Sequence, residues 1–501
     1  MKTSSKSLFT LIKALTKEER SYIMRTAIHY RKGGKNILVQ LFKLLESFSP
    51  DEYDERKLAA KIPNLSVRKN ELYETILRSL ADRETVNLAV VMLGKLRWAA
   101  MLHYRKLFPE AISLLTEVEE WAKSQNQPYI HGVILQYKTF FANTGLYKNH
   151  NINFSTIGDS MVVNAQNILH TAEIYRQYVE VAKITRNSFL MRSNQEVHSI
   201  KELLESPVYN KDLTNLPVSS KGFLHLSLYY LYKLQADYEK AYAEAKQCWM
   251  LMNDASVDFS KRRPQEYLIA FIVYLAACIE TKRLSESKKW LTEFRKLWLD
   301  NYKGNVVVGG KYYSLFLAYH YLEARDKVKT GIIKEVQEFY DKYQATLDEG
   351  GEGRALNYLL MLLFFARGDF LAAWDYCRVI LNSSASAPRK ELFDLTRILF
   401  LLVLFESRKF EELEYQCRQL NGFIRKRNTK EYLLEKTVIK HFQKINSDAA
   451  LEKSMRTLLV NLSTDLEKLS ASDNLCVKQF FHSFDFVSWV NQKIKNTAVK
   501  G

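Results

Sequence analysis

Hydrophobic and aromatic residues recur at helical spacing along most of this chain, and two segments show the pattern most clearly. Residues 226–252 read LSLYYLYKLQADYEKAYAEAKQCWMLM, and residues 357–381 read NYLLMLLFFARGDFLAAWDYCRVIL. Each segment contains an apolar helical stretch, a short polar turn, and a second helical stretch with alanine near its start. Helical periodicity on both sides of a short turn is typical of two helices that pack on each other. The pattern therefore predicts a helix pair in each segment.

The composition extends this prediction to the whole chain. Only 17 glycines and 8 prolines occur in 501 residues. Sheets and hairpins need turn residues at frequent intervals, whereas helices with short links need few. We therefore expect an all-α protein.

The two turns share a chemical signature. Each ends in Asp and an aromatic residue, at Asp237-Tyr238 and Asp369-Phe370, and alanine follows three residues after the aromatic. An Asp before a helix can cap its free amides. An alanine one helical turn beyond the aromatic lets two helix axes approach closely.

The G-D-F-x-x-A pattern at the second turn resembles the core of the tetratricopeptide repeat family. Similar positions recur between residues 85 and 430, and the resemblance implies an α-solenoid of antiparallel helix pairs. The spacing between units exceeds the ~34 residues usual in that family, so longer helices or links are expected. The corresponding small-residue positions are Ala111, Ala241, Ser287, Gly331, Ala373 and Leu413, of which Ser287, Gly331 and Leu413 depart from alanine.

The predicted organisation has three parts: an N-terminal helical region (1–83), the tetratricopeptide-like repeats (84–430) and a C-terminal helical cap (431–501). Residues 145–165 have the weakest periodicity and are predicted to form a loop or an irregular helix start.

The resemblance also implies a binding groove, because the first helix of each pair lines the concave side of such arrays. It would hold a peptide or a partner helix in an apolar, aromatic surface with few charges. The alternative is that longer helices bury the same side chains against neighbouring repeats. The positions that match the groove are Tyr230, Lys233, Tyr313, Phe316, His320, Tyr358 and Phe365.

The N-terminal region allows two interpretations. Residues 53–80 loosely resemble a helix-turn-helix, with a turn at Pro63-Asn64 and a second helix that opens near Arg68 and Lys69. The net charge of +17 is concentrated in part in this basic region, a pattern that usually serves solubility and only sometimes nucleic-acid binding; in the second case Arg31, Lys32 and Lys35 would contact phosphates. Alternatively, these short helices cap the end of the repeat array.

The C-terminal region carries an aromatic cluster within residues 480–489, FFHSFDFVSW. So many aromatic side chains are not all exposed on a soluble monomer. We expect them to cover the last repeat or to fold back along the array, with an exposed docking motif as the alternative.

No residue pattern indicates catalysis, a cofactor or a metal. Residues 304–313, GNVVVGGKYY, approach a phosphate-binding loop, but Asn305 and Tyr312 occupy two of its key positions, so we expect an ordinary loop between helices. The histidines are scattered singly, without ligand spacing.

Five widely spaced cysteines, without CxxC pairs, are typical of buried residues in a reducing compartment. No signal peptide or membrane span is evident, and a cytoplasmic location is expected. The leading hypothesis is a non-catalytic protein–protein interaction or scaffold module that binds a peptide or partner helix. The alternative is a regulator that couples a nucleic-acid-binding N-terminus to a repeat sensor. Neither the partner nor an oligomeric state is specified by the sequence.

Overall fold

The computed structural model describes residues 7–25, 37–49, 53–83, 88–143, 154–187, 189–254, 259–302, 304–324, 327–383, 388–427, 431–445 and 452–498. Within these ranges the chain is helical, with no β-strand, which confirms the predicted all-α class. The chain forms two compact units, one of Met1–Ala122 with Val133–Phe154 and one of Lys123–Gly132 with Ser155–Gly501. The three-part division at residues 83 and 430 stays a prediction.

The first unit holds the N-terminal helices and most of α8, which crosses its boundary. Its core forms where α1, α3 and α5 pack together around Leu8, Phe42 and Leu72, all fully buried. A capping box begins α2, where Thr16 and Glu19 bind each other's backbone amides, and Asp54 caps α4. The helices are α1 (Ser7–Ala14), α2 (Lys17–Ile23), α3 (Ile37–Ser47), α4 (Glu55–Ala59), α5 (Leu65–Arg83), α6 (Leu88–Tyr104), α7 (Phe108–Ser124) and α8 (Pro128–Asn143).

The second unit contains the remaining helices and a short 3-10 helix, Pro207–Asn210. Consecutive helices pack on one another through most of it. The helices are α9 (Phe154–Asn187), α10 (Asn194–Leu204), α11 (Val218–Leu234), α12 (Tyr238–Met252), α13 (Phe259–Arg262), α14 (Pro264–Glu280), α15 (Leu284–Asn301), α16 (Val306–Ala324), α17 (Thr330–Gly350), α18 (Glu352–Ala366), α19 (Phe370–Asn382), α20 (Lys390–Glu406), α21 (Phe410–Arg425), α22 (Leu433–Phe442), α23 (Glu452–Ser470), α24 (Leu475–Ser483) and α25 (Phe486–Ala498).

Several helix pairs are joined by turns of one geometry. After α11, the amide of Asp237 donates to the carbonyl of Tyr232 at 2.9 Å, and the amide of Ala236 donates to that of Lys233 at 3.0 Å. These two bonds and the left-handed backbone at Ala236 form a Schellman motif, which satisfies carbonyls at the helix end. The same left-handed position is occupied by Lys106, Lys282, Gly368 and Arg408 in four other turns.

The predicted capping role of aspartate at two of these turns is confirmed. Asp237 accepts a hydrogen bond from the amide of Lys240 at 3.1 Å, and Asp369 accepts one from the amide of Ala372 at 3.2 Å. The small-residue positions Ala241, Ser287 and Ala373 are buried just beyond their turns. Gly331 differs, because a Cβ atom placed there would meet nothing within 4 Å.

Replacing Ala236 by glycine is expected to stabilise the chain by about 1 kcal/mol. Ala236 adopts a φ of 56°, which strains a residue with a Cβ atom but not glycine. Urea denaturation followed by circular dichroism measures the change. As a control, Ala245→Gly lies in the interior of α12 and should instead destabilise the chain by about 1 kcal/mol. A loss of stability in Ala236→Gly would contradict the assigned turn.

One local prediction is wrong. The supposed loop around Gly309 and Gly310 lies inside α16, where the glycines allow close packing. A Cβ atom at Gly309 would lie 2.7 Å from the Phe339 ring, and one at Gly310 would lie 2.7 Å from the Leu347 side chain. Segment 145–165 was predicted to form a loop or an irregular helix start; α9 begins within it at Phe154, and residues 145–153 lie outside the described ranges.

The aromatic cluster near the C-terminus belongs to the core of the second unit. Phe480, Phe484, Phe486 and Trp489 are buried together with residues of α18–α22. The Phe484 ring lies 5.8 Å from that of Phe365 at the end of α18. Helices α24 and α25 therefore pack on the chain itself, and the aromatic cluster is not available as an exposed docking motif.

Candidate functional site

Three of the predicted groove residues present little surface to a partner. Tyr313, Tyr358 and Phe365 are buried, with 6%, 5% and 9% of their surface exposed. The hydroxyl of Tyr313 donates to Glu335 at 3.0 Å, and burial raises the pKa of that hydroxyl. These rings fill the space between helices.

Tyr230 and Lys233, on α11, are half-buried and have partners within the chain. The Lys233 ammonium forms an ion pair with Glu280 and lies 4.6 Å from the centre of the Phe189 ring. The same Phe189 ring lies 6.3 Å from that of Tyr230. The segment after α9 therefore covers this part of the predicted groove.

Phe316 and His320, on α16, are half-buried and contact each other. Their rings are nearly perpendicular, with centres 4.5 Å apart, and His320 faces Glu323 at 3.3 Å. Burial lowers the pKa of His320, and the neighbouring carboxylate opposes that shift.

Helix α24 packs against the end of α11, one of the helices that carry predicted groove residues. The Gln479 side chain accepts a hydrogen bond from the amide of Met191 at 2.9 Å and donates one to the carbonyl of Leu234 at 2.8 Å. His482, three residues on, stacks on Tyr238 with ring centres 3.5 Å apart. The chain thus occupies the helix ends near Lys233 and Phe365 with its own residues. A binding role for the predicted groove residues stays a prediction.

The segment that Gln479 holds is also fixed by a buried charge cluster. Arg192 donates to the carboxylate of Glu435 at 2.9 Å and lies 3.3 Å from that of Asp394. It also donates to the carbonyl of Glu431 at 3.2 Å. Burial alone would lower the pKa of Arg192, but the two carboxylates raise it above its usual value. All of the contacts are satisfied inside the chain, so this cluster has a structural role.

Of the basic residues predicted to contact nucleic acid, the structure describes Arg68 and Lys69, and each is paired with a glutamate. Lys69 is buried, 4% exposed, and its ammonium lies 2.9 Å from the carboxylate of Glu55. Arg68 pairs with Glu71 at 2.8 Å, and helix α5 packs against α1, α2 and α3. Arg31, Lys32 and Lys35 lie outside the described residues. In this arrangement the Lys69 ammonium is buried and paired with Glu55, and a role of these residues in nucleic-acid binding stays a prediction.

One face of α6 presents a different candidate, which the sequence patterns did not single out. Trp98, Met101 and Tyr104 are 52%, 46% and 80% exposed, and Leu93 lies on the same side of the helix. A Cβ atom placed at Gly94, between them, would meet nothing within 4 Å. We call Leu93, Gly94, Trp98, Met101 and Tyr104 the α6 face.

The apolar surface continues beyond α6. The ring of His103 stacks on that of Phe141 of α8 at 4.1 Å and lies 5.5 Å from that of Phe140. Phe140 is 53% exposed, so α8 extends the apolar surface next to α6. Burial lowers the pKa of the His103 imidazole.

The opposite side of α6 explains how the helix is held. Leu96 and Ala99 are buried, and Lys95 forms an ion pair with Glu117 of α7. The helix is apolar on every side, a pattern that usually indicates complete burial. Its sequence, LAVVMLGKLRWAAMLHY, therefore gave no sign of which side would stay uncovered.

Within the described residues, no group of three or more His, Cys, Asp or Glu side chains is placed to hold a metal ion. Among the described helices, none is both long enough and apolar enough to cross a membrane. The five cysteines are buried and unpaired, and burial raises the thiol pKa of Cys248, Cys278, Cys417 and Cys476 to about 12.

Comparison of the chain with protein-family models, with curated proteins and with solved structures found no match.

Proposed function

We propose that this chain is a non-catalytic protein–protein interaction module that holds an amphipathic helix of a partner protein on the α6 face. The observation that carries this proposal is the exposure of Trp98, Met101 and Tyr104 on one side of a single helix. Large aromatic residues and methionine are enriched in the buried centres of protein interfaces. Tryptophan and tyrosine also contribute disproportionately to binding energy.

The shape of the α6 face favours a helix as its occupant. Its side chains follow helical spacing over about three turns, and the space where a Cβ atom of residue 94 would lie is open. An amphipathic helix meets such a surface with apolar residues spaced three and four apart. The close approach at a glycine allows the two helix axes to pack tightly.

The charges around the α6 face favour an acidic partner. Helix α6 contains Lys95 and Arg97 but no Asp or Glu. Lys95 is paired with Glu117, whereas Arg97 is exposed and forms no ion pair within the described part of the chain. A partner helix with apolar residues on one side and glutamates beside them would complement this surface.

The repeated turns support a tetratricopeptide-like arrangement for about residues 85–430, as the sequence resemblance implied. The five unpaired, buried cysteines support a reducing, cytoplasmic location.

A designed acidic amphipathic helix of about 20 residues should bind the purified chain, and its lysine-for-glutamate counterpart should not. Fluorescence anisotropy of the labelled peptides measures the affinity. Trp98→Ser combined with Tyr104→Ser should weaken binding ~10-fold or more, because both side chains would be central to the interface. Added salt should weaken binding of the acidic peptide, since exposed charges are screened.

Leu371→Ser provides the matched control, because Leu371 is 67% exposed on α19, in the other unit. It should bind the acidic peptide as the wild type does. Equal binding of the two peptides, or unchanged affinity after the α6 substitutions, would refute the proposal. Sedimentation of the free chain tests whether a second copy of the chain occupies the α6 face instead. Dimers that form with rising concentration in the wild type but not in Trp98→Ser would assign the face to that second copy.

A further inference from the structure

A cavity lies between α19, α20 and α21, in a part of the chain that is far from α6 in sequence. It has a volume of about 320 Å³ and is partly open to solvent. Phe400, Leu401 and Leu420 are buried and form its floor, and Phe393 and Phe423 are half-buried and form its walls. A volume of this size is at the lower end of those that bind small molecules or one side chain of a peptide.

Arg397 brings a positive charge into this cavity. Its guanidinium lies 3.9 Å from the centre of the Phe423 ring and 5.2 Å from that of Phe393, so aromatic contacts hold it in place. The structure gives Arg397 no hydrogen bond and no ion pair with any described residue. Its guanidinium therefore retains its hydrogen-bond donors for a ligand.

Other partly buried arginines of the second unit behave differently. Arg192 binds two carboxylates, Arg389 pairs with Glu391 at 2.5 Å, and Arg354 donates to the carbonyl of Pro388 at 2.9 Å. The nearest acidic residue to Arg397 in sequence, Asp394, is committed to Arg192. Arg397 is thus an exception among these arginines, and an unpaired arginine beside apolar walls is well suited to an anion.

The electrostatic surroundings of Arg397 also favour an added negative charge. Arg427 lies 3.5 Å from the centre of the same Phe423 ring. Burial lowers the pKa of Arg397, Asp394 partly opposes this, and the like charge of Arg427 lowers it further. A bound anion would relieve both effects, since an opposite charge stabilises the guanidinium.

Two amide side chains complete the polar edge of the cavity. Gln416 and Gln419 lie on α21, at the rim of the same cavity. Neither side chain forms a hydrogen bond with any described residue. Each can donate through its amide nitrogen, so the cavity combines an apolar floor with a group of unused donors.

From this combination we infer that the α19–α21 cavity binds a carboxylate attached to an apolar group. The carboxylate would accept two parallel hydrogen bonds from Arg397, which matches the geometry of a guanidinium. The glutamine amides would donate to the same oxygens, and the apolar group would lie on the floor formed by Phe400, Leu401 and Leu420. Two sources share this chemistry, namely the C-terminus of a peptide that ends in an apolar residue and a free small carboxylic acid. The inference is independent of the α6 face.

The test uses two acids and their neutral counterparts with the full chain. The small acid is 4-phenylbutyrate, compared with 4-phenylbutyramide. The peptide is a short one ending in phenylalanine, as the free acid and as the C-terminal amide. Isothermal titration calorimetry should detect at least one acid and neither amide. Peptide binding alone would assign the site to a protein C-terminus, and phenylbutyrate binding alone would assign it to a small acid.

Variants separate a specific site from general attraction. Arg397→Gln should weaken the acid ~10-fold or more, because a charge-assisted bidentate contact is lost. Gln419→Glu, on an exposed side chain that should not affect folding, should also weaken it by adding a like charge. The control Arg378→Gln removes an exposed arginine that stacks on Trp374 of α19, and it should bind normally.

Matching circular dichroism spectra and urea midpoints establish that the variants are folded. The inference is overturned if acids and amides bind alike, if neither acid binds, or if both Arg397→Gln and Gln419→Glu retain wild-type affinity.

Discussion

Replacing Arg192 by methionine is expected to lower the free energy of unfolding by about 3–5 kcal/mol, because two carboxylates would remain buried without a counter-charge. Glu435 and Asp394 are 3% and 9% exposed, and Arg192 is the cation that pairs with both. Its guanidinium also lies 4.5 Å from the centre of the Tyr432 ring. Urea denaturation, followed by tryptophan fluorescence and by circular dichroism, measures the loss.

The matched control is Arg418→Met, which removes an exposed partner of Glu414 on α21. That pair is separated by 3.9 Å and both side chains are more than half exposed, so the change should be ~0.5 kcal/mol or less. Adding Glu435→Gln and Asp394→Asn to Arg192→Met should restore part of the loss, since it removes the unpaired charges. If Arg192→Met lowered the free energy of unfolding by less than ~1 kcal/mol, water would have to reach the two carboxylates, and the charge cluster would not be buried.

Replacing Phe486 by alanine is expected to cost about 3–5 kcal/mol of stability, the usual cost of removing a buried phenylalanine. Phe486 is 1% exposed, and its ring lies 4.9 Å from that of Phe484 and 5.6 Å from that of Phe481. The loss combines the transfer of the ring to water with the cavity that remains. It would establish that α25 belongs to the core of the second unit. Urea denaturation again gives the value.

Leu371→Ala is the control for this measurement, because it removes an exposed apolar side chain from the same unit. It should change stability by no more than ~0.5 kcal/mol. If Phe486→Ala matched the control, the C-terminal aromatic cluster would have to be loosely attached, and the covering of the groove residues by α24 would lose its basis.

The all-α class and the turns were predictable from sequence because their causes are local. A capping aspartate such as Asp237 acts on amides within its own first helical turn, and its signature is visible in any window of a few residues. The left-handed backbone conformation in these turns was harder to predict. Glycine, as at Gly368, is typical of that conformation, but alanine, as at Ala236, is not.

The features that the sequence did not reveal depend on long-range packing. Glycine is compatible with a loop or a helix, and the sequence did not show that Phe339 and Trp298 would leave no room for a Cβ atom at Gly309. The partner of Lys69 is Glu55, on another helix, so its burial could not be read from the basic cluster alone. In the charge cluster, Arg192 pairs with Glu435, which lies far from it in sequence. No local sequence pattern encodes that pairing.

The candidate site was the least predictable feature, for the same reason. In α6 the apolar residues surround the helix, so periodicity could not distinguish the covered side from the exposed one. The groove residues were chosen by position in a repeat, but the sequence could not show that Phe189 and Phe484 would lie against them.

Hydroxyl-radical footprinting of methionines tests the proposed docking surface most directly, because oxidation of a methionine reports its exposure. Met101 is 46% exposed on the α6 face, Met250 is 57% exposed on α12, and Met361 is fully buried. In the free chain, Met101 should oxidise at a rate close to that of Met250. Addition of the acidic helix should slow oxidation of Met101 and leave Met250 unchanged. Protection of Met101 to the level of Met361 in the free chain would show that the protein covers this face itself, which would contradict the proposal.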